Sequence, residues 1–181
     1  MKMRRVVTGH TQDGKAIVAS DTEVEGITIT AEPGLEFHVL WGADHVPTLP
    51  DDGSPPSRRS YFPPPGGFRL VSFTLPPLEA TSGPHQEKAD AVTEFEQKLP
   101  GLISHMELDN PGMHTTDSID FDYIITGETW LELDDGKEVY LQAGDTVIQN
   151  GTRHAWRSRG GQPCRILSLL IGANRLNREN K

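Results

Sequence analysis

Apolar and polar positions alternate along most of this chain with a period of two, the repeat of strands whose faces meet different surroundings. Four short runs open it, over residues 4–7, 16–19, 26–31 and 36–41, with Gly14, Gly26 and Pro33-Gly34 as breaks between them. Ile27-Thr28-Ile29-Thr30 alternates β-branched side chains and predicts a half-buried strand. Residues 68–75 set Phe68, Leu70, Ser72 and Thr74 against Arg69, Val71, Phe73 and Leu75, a strand buried on much of both faces and closed by Pro76-Pro77. The helical period appears once, over residues 85–99, where Ala89, Val92, Phe95, Glu96 and Leu99 fall near one face and Pro100-Gly101 ends the run. Such a helix packs outside the sheets or caps one end of them.

Residues 102–108 read as a return to strand that carries His105. Short strands follow over 123–126, 130–133, 139–141 and 146–149, with Asp134-Asp135-Gly136 as a tight turn. The last strand covers 165–172, and residues 173–181 form a polar tail expected to fray. Between the early strands and the rest lies a loop over 51–67, whose Pro55-Pro56, Pro63-Pro64-Pro65 and Gly66-Gly67 prevent regular pairing. A loop of that length is usually functional or mobile. With Tyr61 and Phe62 as its apolar foot, it is expected to border a pocket mouth.

The composition fits one domain over 1–181: N-terminal strands, loop and helix in 1–101, a barrel core in 102–172, and the tail. The chain has 181 residues, 35% hydrophobic and 24% charged, enough to bury a core. Met1-Lys2-Met3-Arg4-Arg5 is basic, but no signal-peptide apolar region follows and no run reaches membrane-span length, so a cytoplasmic protein without membrane partners is the expectation. The single cysteine, Cys164, sits in an apolar run and reads as a buried, inert thiol. A formal charge of −9 argues against nucleic acid. Residues 79–145 hold 16 acidic and 3 basic side chains, whereas residues 153–181 hold 7 basic and 1 acidic, so the basic end is expected to balance the acidic hairpins.

Candidate chemistry concentrates in residues 110–158. His114, Thr116, Ser118, Asp120 and Asp122 share one strand parity, which places a polar row where a plain barrel core would carry Val, Leu or Ile. Such a row argues for a lined cavity. Glu128 and Asp145 each follow a glycine and read as acids that stabilise turns.

The run from Asn110 to Glu128, with Met113, His114, Thr116, Asp120 and Gly127, and the run from Gly144 to Trp156, with His154, resemble the two signature motifs of the cupin superfamily. The first is Gly-x5-His-x-His-x3-4-Glu-x6-Gly and the second is roughly Gly-x5-Pro-x-Gly-x2-His-x3-Asn. Here Asp120 stands at the Glu position, His114 at the first His, Thr116 at the second, His154 at the His of the second motif, Gln149 one residue early at the Pro position and Ser158 at the Asn position. The variant also resembles a cupin subgroup of bacteria and fungi. The resemblance covers residues 110–172 and implies an all-β fold: an antiparallel double-stranded β-helix, or jelly-roll barrel, with added N-terminal strands and one helix.

It further implies a divalent metal (Fe, Mn, Zn or Ni) held by His114, Asp120 and His154, with Met113, Thr116, Ser118 and Trp156 lining a substrate pocket. The corresponding function is a metal-dependent enzyme on a small organic molecule, of oxygenase, decarboxylase, isomerase or dehydratase type. Two alternatives stand beside it: a non-enzymatic barrel that binds a small molecule, and a metal-free acid–base enzyme using His114 and Asp120. The unpaired early strands suggest a homodimer. His38, His45 and His105 carry no assigned role.

Overall fold

The alternation becomes strands nearly everywhere it occurs. The structure, a computed structural model, describes residues 2–77 and 88–176. The early runs form β1 (Met3–His10), β2 (Ala16–Val24), β3 (Ile27–Ile29) and β4 (Glu32–Ala43), and β5 is Phe68–Leu75. After α1 (Lys88–Lys98) come β6 (Ser118–Thr126), β7 (Glu128–Glu132), β8 (Glu138–Gln142), β9 (Thr146–Asn150), β10 (Ala155–Arg157) and β11 (Cys164–Gly172). The expected helical residues 85–87 and the end of the tail, 177–181, lie outside the described residues.

One six-stranded sheet runs β3-β4-β5-β11-β6-β9, and a three-stranded sheet runs β10-β7-β8. Every pairing is antiparallel. Ile124 of β6, Leu131 of β7, Leu141 of β8 and Cys164 and Ile166 of β11 meet in one buried cluster, so the two sheets close on each other as a jelly roll. A second cluster joins Ile29, Phe37, Val71 and Leu170 of the large sheet to Tyr61 and Phe62 of the loop and to Phe95, Leu99 and Leu102 beside α1. The helix therefore caps one end of the barrel. Ala89 and Glu96, expected on its apolar face, are exposed, and the Glu96 carboxylate instead accepts the Gly101 N–H at 3.1 Å.

Two expectations change. Residues 102–108 are not a strand: Ile103–His105 form a 3₁₀ turn, because Leu102 tucks under the helix and the Leu102 and His105 N–H groups donate locally, to Leu99 O (3.1 Å) and Leu102 O (3.2 Å). Only Met106 makes a bridge, to His114. The early strands also divide. β3 and β4 extend the barrel sheet, whereas β1 and β2 form a sheet of their own. That hairpin is fastened by Arg5, whose guanidinium donates to Leu40 O at 3.0 Å and lies over the Trp41 ring, and by His10 N–H to Asp51 O at 2.8 Å.

Gly127 turns β6 into β7 at φ 77°, and a Cβ there would collide with the Pro163 carbonyl. Asp145 stabilises its turn as expected, accepting the Gln142 N–H at 2.9 Å, whereas Glu128 accepts a side-chain donor, the Tyr140 hydroxyl of β8, at 2.8 Å. The basic end meets the acidic hairpins in ion pairs, Arg153 with Glu107 and Asp134, Arg157 with Glu132, Arg159 with Glu138 and Arg175 with Asp117. Cys164 is fully buried, and burial pushes its thiol up to about 11.

The 51–67 loop is held to the barrel by Arg69 of β5, whose side chain is wholly buried. Its guanidinium donates to Ala43 O (2.8 Å), Phe68 O (2.9 Å) and Ser60 O (3.0 and 3.1 Å) and pairs with Asp44. A fully buried cation with every donor engaged is costly to disturb, since its removal strands carbonyls and a carboxylate. Arg69→Met is expected to lower unfolding stability in urea by roughly 3–5 kcal/mol and to open residues 51–67 to limited proteolysis. A loss below about 1 kcal/mol with an unchanged cleavage pattern would contradict this account.

Candidate active site

Between the two apolar clusters lies a cavity of about 580 Å³. Its walls are aromatic: Phe37, Tyr61, Phe62, Phe73 and Trp156 all line it, with Ala91, Val92 and Phe95 of the helix over one side. Tyr61 stands edge-on to Phe37 (5.8 Å between centroids) and to Phe62 (5.0 Å), and Phe73 packs on Trp156 at 6.2 Å. The loop thus borders the pocket through the two rings expected to do so. Two imidazoles and two buried carboxyls also face this space, those of His114, His154, Asp120 and Asp122.

The two histidines meet because their backbones pair. His114 N–H donates to His154 O and His154 N–H to His114 O, both at 2.9 Å, and the ring centroids are 4.2 Å apart. Each Nδ1 lies 2.9 Å from a carbonyl, that of Gly112 for His114 and that of Thr152 for His154. A carbonyl only accepts, so Nδ1 carries the proton in each ring and Nε2 keeps its lone pair. Burial lowers both pKa values, that of His154 to about 4 with His114 adding to the effect, and both rings are neutral bases at pH 7.

The carboxyls come from β6, whose inward positions Ser118, Asp120, Asp122 and Ile124 alternate with exposed Ile119, Phe121 and Tyr123, as the sequence parity requires. Ser118 donates to Asp120 Oδ1 at 2.6 Å, and Ser168, opposite Asp122 on β11, donates to Asp122 Oδ1. Burial outweighs those hydrogen bonds and raises Asp120 to about 6 and Asp122 to about 7, the Asp120 charge adding to the second shift. Tyr61 feels both carboxyls, and burial together with their charges raises its phenol well above the ordinary value.

No family model matches the chain. A 96-residue stretch, 50% of this chain, is 40% identical to oryzines biosynthesis cluster protein J of Aspergillus oryzae and covers 53% of it. A 47-residue stretch, 26% of this chain, is 47% identical to phomopsin biosynthesis cluster proteins C' and D of Diaporthe leptostromiformis and covers 25% of each. The chain thus spans about a quarter to a half of the length of these relatives. Among solved structures, a predicted oxalate decarboxylase from Thermotoga maritima is 16% identical with a TM-score of 0.44, over 82% of this chain and 93% of that one. An RmlC-like cupin with a double-stranded β-helix from Methanocaldococcus jannaschii is 13% identical with a TM-score of 0.37, over 58% and 70%. The fold, two antiparallel sheets closed on each other, is a double-stranded β-helix.

The barrel brings His114, Asp120 and His154 to one cavity but not to one point. Among the described residues no group of three His, Cys, Asp or Glu side chains is placed to hold a metal ion. The two imidazole rings lie 4.2 Å apart between centroids, and Asp120 Oδ1 accepts from the Ser118 hydroxyl at 2.6 Å. The donor set therefore does not fit the expected three-ligand centre. Of the expected pocket residues only Trp156 lines the cavity. Met113, Thr116 and Ser118 are buried at 0%, 1% and 2% exposure, and the Ser118 hydroxyl reaches Thr116 Oγ1 at 3.0 Å, so the polar row satisfies itself below the cavity floor.

Asp122 is 3% exposed and faces the cavity. Phe37, Phe73 and Ser168 join it only because β4, β5 and β11 lie side by side. His38 is buried outside the cavity lining, His45 is exposed, and His105 packs on Phe62 at 4.6 Å with its Nδ1 2.9 Å from Gly101 O.

The two kinds of group load stability in opposite directions with pH. The folded pKa of His154 lies below its ordinary 6.5, so its contribution is present above pH 6.5 and is lost as pH falls toward about 4. Asp122 lies above its ordinary 3.8, so its contribution is present below that value and is lost as pH rises through about 7. Asp122→Asn, which keeps an acceptor for Ser168, is expected to gain about 2–4 kcal/mol over the wild type at alkaline pH and to lose that gain in acid. Urea unfolding at both extremes reads it, and a variant equally stable at both would refute the assignment.

Proposed function

We propose that this barrel binds a small organic molecule and moves protons on it, with His114 Nε2 as base, the Asp122 carboxyl as acid and the Asp120 carboxylate beside them. One observation carries the reading: two neutral imidazoles and two carboxyls titrating near neutrality face one apolar cavity. Proton transfer needs a base lacking its proton and an acid retaining one at the same pH, and burial pushes these groups toward that state from opposite sides. His114 is the better base of the pair, because His154, at about 4, holds a proton too weakly to draw one from carbon. His154 instead fixes the His114 backbone and ring.

An apolar pocket binds the substrate body and keeps water from competing for the proton. Such a site suits an isomerisation or dehydration, in which a proton leaves one atom and another is delivered nearby. That relatives of part of this chain are named for biosynthesis clusters supports a small-molecule substrate.

Deuterium exchange tests the chemistry directly. Aryl ketones with an acidic C–H, incubated with the protein in D₂O, are expected to take up deuterium at a rate that survives metal chelation and falls at least about tenfold in His114→Ala. Exchange abolished by chelator and restored by added divalent metal would overturn the reading in favour of a metal enzyme.

The β1–β2 hairpin leaves Val6, Ile17 and Val18 at 50%, 40% and 65% exposure on a sheet with two free edges. That surface supports a homodimer paired through the hairpin. Light scattering at micromolar concentration is expected to give the mass of two chains and, for Val18→Glu, of one; a monomeric wild type would end this assignment.

A further inference from the structure

Acids outnumber cations around the cavity. Its lining includes the acids Glu32, Glu107, Asp120 and Asp122 and the single guanidinium of Arg157. That guanidinium is already engaged, by Glu132, by Pro111 O at 2.6 Å and by Asn110 Oδ1 at 2.9 Å. Glu107 is likewise occupied, by Arg153. Among the described residues Asp120 and Asp122 have no cationic partner, and each receives one serine hydroxyl on Oδ1. Two carboxyls buried to 6% and 3% exposure thus present acceptor oxygens to a space with no free positive charge among the described residues.

Around that floor stand the faces and edges of Phe37, Tyr61, Phe62, Phe73 and Trp156. Aromatic faces attract cations through the ring quadrupole, most strongly where water is excluded. Phe37 and Phe73 lie 6.3 Å apart between centroids, and Trp156 continues the same wall. An anionic ligand would meet two carboxyls with no counter-charge. A neutral one would leave their acceptor capacity unused.

From this arrangement we propose that the cavity is selective for an organic cation: a protonated amine on an aromatic or apolar body, its ammonium on Asp120 and Asp122 and its body among the rings. This rests on the reading of the barrel as a small-molecule site and names the class of molecule it takes. Tyr61 lines the cavity, and its phenol feels both carboxyls. Glu32, exposed at the cavity edge, adds to the field that draws a cation inward.

Three probes of one shape but different charge separate the outcomes: phenethylamine, phenethyl alcohol and hydrocinnamate, titrated at neutral pH by calorimetry. Phenethylamine is expected to bind at least about tenfold tighter than the alcohol, with hydrocinnamate weakest. In Asp122→Asn and in Asp120→Asn the amine should lose roughly tenfold in affinity while the alcohol changes by less than about twofold. The wild-type ranking stands alone should either variant fail to fold. Alcohol or hydrocinnamate binding as tightly as the amine overturns the cation proposal and leaves the cavity reading in place. Failure of all three probes to bind overturns both.

Discussion

Arg69 is the constraint on which the site depends. A guanidinium sealed from solvent has to satisfy its donors within the protein, and here the acceptors belong to three separated parts of the chain: Ala43 and Asp44 after β4, Ser60 in the loop, and Phe68 beside it. Satisfying that one side chain fixes the residue before Tyr61 against the barrel. The rings of Tyr61 and Phe62 then have nowhere to go but inward, over Phe37, Val71 and Leu170. A loop rich in proline and glycine thereby becomes a rigid wall of the cavity.

The cavity exists because the two apolar clusters do not merge. Below it, β6, β7, β8 and β11 pack in the usual way of facing sheets. Above it, the loop and α1 close the end. Phe73 touches both clusters, and the space beside it is lined where β6 and the His114–His154 bridge turn polar atoms toward it. The same low-dielectric surroundings act in opposite senses on the two chemistries, disfavouring the imidazolium and the carboxylate alike. The result is a neutral base beside carboxyls that titrate far above their ordinary range.

The positions expected to hold a metal have local partners in this fold. Thr116 stands where the first motif has its second histidine and accepts from the Ser118 hydroxyl, which also reaches Asp120. His114 and His154 then satisfy their Nδ1 protons on the nearest carbonyls and pack ring to ring.

Much of the architecture was legible in the chain itself. Alternation over β3, β5 and β6 predicts strands because every second side chain must face a core. Gly127 and Asp134-Asp135-Gly136 mark turns because those backbones reach positive φ, and the parity of Asp120 and Asp122 follows from the pleat. Local apolarity misleads only at residues 102–108, where Leu102 and Ile103 serve a helix-side cluster instead of a sheet. What the sequence could not determine is what lies across from what. That Ser168 answers Asp122 is a matter of register between β11 and β6. That Met113, Thr116 and Ser118 fall beneath the floor while Phe37 and Phe73 form the wall depends on how the sheets close. Ligand geometry and cavity shape arise from contacts between residues tens of positions apart, and only the packed tertiary structure decides them.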